Sequence, residues 1–303
     1  IILVFSEILI VNEELVQTYE FTSPVTLDKV KKILSGTTKS VRPLAGGTDL
    51  IDQLRVDRRT ADLVMDIKNI SELNQLDYTN GVLNLGAAIS CTTARKFQPI
   101  IDNYPALAES AGLVGSVQIQ NRASIGGNVC NAAPSADTIP SLLIYGAIGV
   151  VVGPDGQREI PIEEFFTGPG TTVLNPDEIL VSIIIPTPPS HSTSHYLRFI
   201  PREEMDIAVA GVGSMIAIDP KTQKCVRARI ALAAVSAIPK RAKEAESILE
   251  GNVISEDLIR KAGDKASTEC TPIDDIRGTV EYRKELIKVL TRRTVRKCIE
   301  ILN

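Results

Sequence analysis

Tryptophan is absent from the sequence, and histidine occurs only at His191 and His195. With six tyrosines, six phenylalanines and a formal net charge of −4, the chain offers few stacking platforms and no basic excess, which argues against nucleic-acid binding. Both histidines lie in "PTPPSHSTSH", where the prolines forbid the helix that would put residues four apart on one metal, so a solvated linker is expected there. A Ser-His-Asp or Cys-His centre would have to form on that linker, which disfavours nucleophilic hydrolysis. The five cysteines, Cys91, Cys130, Cys225, Cys270 and Cys298, are widely spaced and include no CxxC pair. No zinc ribbon or iron–sulfur motif is written, and the odd count suits a reducing compartment. The apolar start "IILVFSEILIV" is broken by Glu7, is too short to span a bilayer, and lacks the basic leader and cleavage site of a secretory signal. It reads as an extra strand or an added extension, and a cytoplasmic protein is expected. Neither GxGxxG nor GxxxxGK[ST] occurs, which disfavours Rossmann and Walker sites.

What is present is ordinary globular composition, 44% hydrophobic and 23% charged, in a chain long enough for two or three compact units. "YEFTSPVTLDKVKKILSG" predicts a strand, a turn at Pro24 and a helix capped by Thr26 and Gly36, with Val30, Ile33 and Leu34 on its apolar face. A double-glycine turn in "VRPLAGGTDLIDQLR" leads to a helix carrying Leu50, Ile51 and Leu54, and "ADLVMDI" and "GVLNLGAAI" alternate as strands do. Together these make an α/β-like N-terminal unit. The segment 91–116 reads as mainly helical, and another helix is expected after the capping types Asp137 and Thr138. "AIGVVVGPDGQREIPI" has a hairpin signature and "EILVSIIIP" is a buried strand. A domain boundary falls in the linker at 186–195, beyond which two long strands precede three helices, an α+β arrangement.

Two Gly-Gly loops, "LAGGTD" and "SIGGN", carry the strongest chemical signal. Glycine admits φ > 0 and close approach of a ligand to the backbone, and successive N–H groups form an anion-binding nest. If Leu50 opens a helix, its unpaired N–H groups add to the first loop's cradle. The second loop, within "SIGGNVCNAAPSAD", contains no lysine, arginine or histidine, so backbone donors have to neutralise the charge of a phosphate there. The paired acids Glu163/Glu164, Glu203/Glu204 and Asp274/Asp275 read as solvated faces. The last helix, with Lys284, Lys288, Arg292, Arg293, Arg296 and Lys297, reads as an exposed basic face, or as a docking face for an acidic partner; Leu286, Val289, Leu290, Ile299 and Leu302 are available for its buried side. A phosphate cradle without an acid, base or nucleophile fits a bound ligand that carries the chemistry itself.

"RPLAGGTDL", "QIQNRASIGGNVCNAAPSAD", "NPDEILVSIIIP", "REEMDIAVAG" and "RGTVEYRKEL", in that order, resemble the FAD-binding medium subunit or domain of the molybdenum hydroxylases. That family includes carbon monoxide dehydrogenase, xanthine dehydrogenase, nicotinate dehydrogenase and 4-hydroxybenzoyl-CoA reductase, and the resemblance covers about residues 18–302. It implies an α+β fold class: two α/β subdomains of the vanillyl-alcohol-oxidase (PCMH) FAD-binding type plus a C-terminal α+β domain. The implied divisions are an N-terminal extension 1–16, a FAD-binding domain 17–190 with subdomains of about 17–72 and 73–190, and a C-terminal domain 191–303. In the family both glycine loops surround the FAD pyrophosphate. Carried onto this chain, the implied contacts are Pro43, Leu44, Ala45, Gly46, Gly47, Thr48, Asp49 and Leu50 in the first loop, and Ser124, Ile125, Gly126, Gly127 and Asn128 in the second. Val114, Asp137, Leu180 and Arg198 are further carry-overs; the last is often Lys in relatives.

The resemblance implies non-covalent FAD, since no histidine lies near the loops, although Cys130 does. No inserted cysteine-bearing loop is present, which disfavours the 4-hydroxybenzoyl-CoA reductase type. It further implies an electron-transfer subunit beside an iron–sulfur small subunit with [2Fe-2S] clusters and a molybdopterin large subunit, in a dimer of heterotrimers that passes electrons to NAD or another acceptor. Two rivals are a stand-alone FAD-dependent oxidoreductase acting directly on a small molecule and a non-enzymatic nucleotide-binding module. The first needs a substrate acid/base that the sequence does not show.

Overall fold

The computed structural model describes residues 18–203 and 205–303. The expected N-terminal extension lies outside the described residues. Glu20–Thr22 (β1), Val41–Leu44 (β2) and Leu63–Asp66 (β3) form a parallel sheet in the order β1-β3-β2. Parallel strands need crossovers, and the helices Leu27–Ser35 (α1) and Leu50–Arg55 (α2) provide them. The α1 helix starts where the Thr26 side chain accepts from the Lys29 N–H, buries Val30 and Leu34, and ends as the Gly36 N–H bonds to Lys32 O. In α2 only Leu54 is buried, and Ile51, expected on the apolar face, is exposed.

The second unit is an antiparallel sheet whose strands come from both sides of a helical insertion. Its members are Leu76–Thr79 (β4), Val82–Gly86 (β5), Ile148–Gly153 (β6) and Gly156–Pro161 (β7), with Phe166–Gly168 (β8) and Thr171–Thr172 (β9) paired separately, and Ile179–Ile185 (β10) at the centre. The order is β4-β5-β10-β6-β7. The β-branched run in β10 fits its place between two neighbours, buried along nearly its whole length. Between β5 and β6 come Cys91–Lys96 (α3), Gln98–Asn103 (α4), Pro105–Ala111 (α5), Val117–Gln120 (α6), Ile125–Asn131 (α7) and Thr138–Tyr145 (α8). Position 137 precedes α8 as expected, but the Asp137 side chain does not cap it.

The third unit is an antiparallel sheet, Ser192–Phe199 (β11), Ala210–Ile218 (β12), Cys225–Ala233 (β13) and Lys240–Arg241 (β14), covered by Lys243–Leu249 (α9), Glu256–Glu269 (α10) and Val280–Leu302 (α11). The expected linker is therefore shorter than its composition suggests. Ser192 already pairs with Ala217, and His195 is a half-buried strand residue whose Nδ1 lies 2.9 Å from Glu109 Oε1 on α5. The same glutamate accepts the Tyr196 N–H at 2.7 Å, while Ser194 Oγ, 2.5 Å from Tyr145 Oη, accepts the Ala106 N–H. These bonds, and the packing of Tyr196, Met215 and Ala231 into the first apolar core, join the third unit to the second. A separate core lies under α9, α10 and α11.

The basic face of α11 is largely paired rather than free. Arg292 bonds Asp264 and Arg296 forks onto Glu256, both on α10, and Lys288 pairs with Glu285 on its own helix. Its buried side runs through Arg283, Ile287, Leu290, Val295 and Cys298, while Val289 is exposed. No helix among the described residues is long and apolar enough to cross a membrane.

Candidate functional site

Where the first sheet meets the second, the two glycine loops face an open cleft of about 570 Å³. Volumes of this order take small molecules and cofactors. In the first loop the chain leaves β2, turns at Gly47 with φ of 75°, and enters α2 as the Ile51 and Gln53 N–H groups bond back to Gly47 O and Asp49 O. Gly46 has no room for a side chain, because a Cβ there would sit 2.2 Å from Arg122 O and 2.7 Å from Ala123 Cα. The first loop thus rests on the residues that lead into the second.

The second loop departs from the turn its sequence suggests. Gly126 and Gly127 lie inside the first turn of α7, neither at positive φ, and Ser124 caps that helix by accepting the Gly127 N–H at 3.0 Å. Their requirement is for space rather than for an unusual backbone. A Cβ on Gly126 would lie 2.5 Å from Ala87 O, whereas one on Gly127 would meet only Ser124 Oγ at 2.8 Å and Ala45 Cβ at 4.0 Å. Cys91 N–H to Ala123 O and Ile125 N–H to Ile89 O hold the loop against the end of β5.

The backbone N–H groups of Gly46, Gly47, Thr48, Asp49, Leu50 and Gly126 meet no acceptor among the described residues. Such donors carry partial positive charge and favour an anionic acceptor. Gln53 on α2 donates to Asn131 on α7 at 3.1 Å, tying the two loop helices together. Asn128 receives the Thr138 hydroxyl on Oδ1 at 2.5 Å, which leaves its amide Nδ2 free to donate.

The cleft is lined by Pro43, Ala45, Gly46, Gly47, Thr48, Asp49, Leu50, Val114, Ser124, Gly126, Gly127, Asn128 and Leu180 from among the expected contacts. Four expected contacts do not line it. Leu44 ends β2 with its side chain in a small core beside Leu54, Ala61 and Val64, and Ile125 is wholly buried in the first core. Asp137 is turned inward to Tyr196 Oη at 2.8 Å and Arg198 Nη1 at 2.5 Å, so these carry-overs form a buried pair with each other. Desolvation pushes the Asp137 carboxyl up to about 6, against the opposing pull of Arg198 and of the Tyr196 hydroxyl.

The basic residues of the cleft are not among the expected contacts. Arg42 and Arg59 line it, and so do Lys39, Gly170, Thr171, Thr172, Asn175, Pro176 and Glu178. Arg42 opens the quoted "RPLAGGTDL" and Arg59 ends the basic run "RVDRR" that begins at the last residue of α2, so both were visible as residues. Their convergence required the crossover of the first sheet. The Asp49 carboxyl, at the cleft surface, is pushed above its usual range by desolvation and then by Asp52, with Arg59 opposing. Cys130 also lines the cleft, and burial pushes its thiol up to about 12, which keeps it protonated and unreactive at neutral pH.

Residues 17–188 match the family described as the FAD binding domain in molybdopterin dehydrogenase, and residues 195–298 match the CO dehydrogenase flavoprotein C-terminal domain. The chain is 30% identical over 258 residues to the xanthine dehydrogenase FAD-binding subunit of Escherichia coli O157:H7, covering 84% of this chain and 88% of that one. It is 28% identical over 279 residues to the glyceraldehyde dehydrogenase medium chain of Sulfolobus acidocaldarius, covering 92% and 98%. A solved carbon monoxide dehydrogenase from Hydrogenophaga pseudoflava superposes with a TM-score of 0.89 at 25% identity, over 93% of this chain and 97% of that one. Quinoline 2-oxidoreductase from Pseudomonas putida 86 gives a TM-score of 0.87 at 26% identity, over 94% and 98%.

Proposed function

The chain belongs to the family of FAD-binding subunits of molybdopterin dehydrogenases, and from that premise we propose that it is the electron-transfer subunit of a molybdenum hydroxylase complex. In this reading it receives electrons from the [2Fe-2S] clusters of a small subunit, after a molybdopterin large subunit has oxidised the substrate, and delivers them to NAD or another acceptor. The assembly is a dimer of heterotrimers, and the chain divides functionally into a FAD domain at 17–190 and a C-terminal domain at 191–303. When bound, FAD supplies the redox chemistry that couples one-electron carriers to a two-electron acceptor.

The observation that carries the reading is the pair of loops with unpaired N–H groups facing one cleft, at positions where Gly46 and Gly126 admit no side chain. Those N–H groups fix the FAD pyrophosphate, and the bare Cα of Gly127 keeps the wall open to it. Asn128 donates from Nδ2, its other end held by Thr138, and Asp137, the chain neighbour of Thr138, is fixed by Arg198. The Cys130 thiol, held protonated, supports non-covalent binding.

The test is purification of the native complex through this chain. A yellow assembly with co-eluting iron–sulfur and molybdopterin subunits is expected. A lone, colourless chain that takes up no FAD overturns the proposal.

A further inference from the structure

Every other full charge on the cleft wall except Asp49 is already paired: Lys39 with Glu20, and Glu178 with Arg158. Arg42 and Arg59 differ. Arg42 Nε donates to Thr60 O at 3.0 Å and Arg59 Nη2 to Gly170 O at 3.1 Å, and neither forms an ion pair with a carboxylate among the described residues. Two guanidiniums in one partly desolvated cleft repel, and Arg42 is held below its usual range by burial and then by the charge of Arg59. An arrangement of this kind is stabilised by an anion between or beside the cations.

The route of Arg59 matters as much as its charge. It leaves the segment after α2, the helix of the first loop, and reaches the tip between β8 and β9. That tip is fastened in turn to the second loop, because the Gly170 N–H donates to Ala132 O at the end of α7. Arg59 therefore spans the cleft from one glycine loop to the element behind the other.

We propose that Arg42 and Arg59 are positioning residues that supply the side-chain counter-charge for the pyrophosphate of FAD, complementing the backbone N–H groups of the two loops. This rests on the FAD reading above. A pyrophosphate diester carries two negative charges, matched in number by the two guanidiniums, and the planar guanidinium suits phosphate oxygens in a way that peptide N–H groups alone do not.

The experiment measures FAD affinity of the flavin-stripped full chain by flavin fluorescence across a salt series, for the wild type, Arg59→Gln, Arg42→Gln, Arg59→Lys and Gly127→Val. Arg59→Lys keeps the charge at comparable reach while Arg59→Gln removes the charge and shortens the side chain, so the pair separates counter-charge from a merely structural latch. Each Gln variant is expected to bind FAD about ten- to hundredfold more weakly at low salt. Each is also expected to show a shallower salt dependence and weaker competition by ADP, with Arg59→Lys between Gln and wild type. Gln variants that bind within twofold of the wild type with an unchanged salt dependence, while Gly127→Val loses FAD, overturn this inference and leave the cradle standing. A wild-type chain that takes up no FAD overturns the reading on which both rest.

Discussion

Gly126 and Gly127 are adjacent in one helical turn, yet their surroundings assign them different work. Behind Gly126 lies the Ala87 backbone, 2.5 Å from where a Cβ would sit, so Gly126→Ala forces two chain segments apart. A loss of about 1–3 kcal/mol is expected, enough to outweigh the gain in helix propensity, and a thermal or denaturant melt will read it. Gly127 faces the cleft, where a side chain meets only the Ser124 hydroxyl and, at contact distance, Ala45. Gly127→Val is therefore expected to keep the fold and lose FAD; unchanged flavin content in purified protein would contradict the cradle. Asp137 gives a pH signature. Its carboxyl is raised to about 6 by desolvation, so the folded chain binds that proton more tightly than the unfolded one. Its contribution to stability is complete below about pH 4 and is lost as pH rises through about 6. Asp137→Asn is expected to flatten that slope in stability measured from pH 4 to 7, and an identical slope in the variant would exclude Asp137 as its source. The residue types were all readable in the sequence, but the inward turn of Asp137 was not, because Tyr196 and Arg198, its partners, lie about sixty positions away.

At the scale of elements, caps and turns were the most legible features, since they depend on residues within one turn of each other. Thr26 and Gly36 bound α1 as their chemistry requires, and the Pro154–Asp155 turn joins β6 to β7. The second glycine loop misled for the same local reason: Gly-Gly is a turn signal, and only the Ser124 cap and the contact with Ala87 make it the start of α7. The basic stripe of α11 misled in part because Arg292 and Arg296 find their partners on α10. That helix pair crosses closely at Gly263, where a Cβ would sit 2.8 Å from Lys288 O and 2.9 Å from Arg292 Cγ. A glycine inside an isolated helix costs about 1 kcal/mol relative to alanine. Here the sign reverses, and Gly263→Ala is expected to destabilise by about 1–2 kcal/mol in urea unfolding. A stabilised variant would show that the helices can separate without loss.

Across the whole molecule, the expected linker becomes a sealed junction. Tyr196, Met215 and Ala231 complete the first core, Ser194 and Tyr145 make a buried polar contact across it, and Glu109 a half-buried one. Residues 18–190 expressed alone are therefore expected to unfold at clearly lower denaturant than the full chain, with the first core laid open on one side. An equal midpoint in chemical denaturation would mean that the junction adds nothing. By itself the sequence determined most element types, the place of the two glycine motifs and the family to which their order points, because periodicity, caps and glycine-rich motifs are short-range properties. Only the tertiary structure decided which charges meet. Arg42 and Arg59 converge on the loops because the parallel sheet folds its crossover back over them, and Asp137 is withdrawn from the cleft because β11 brings Arg198 to it. Charge pairing depends on distance in space, and for these residues that distance is set by the packing of sheets far apart in the chain.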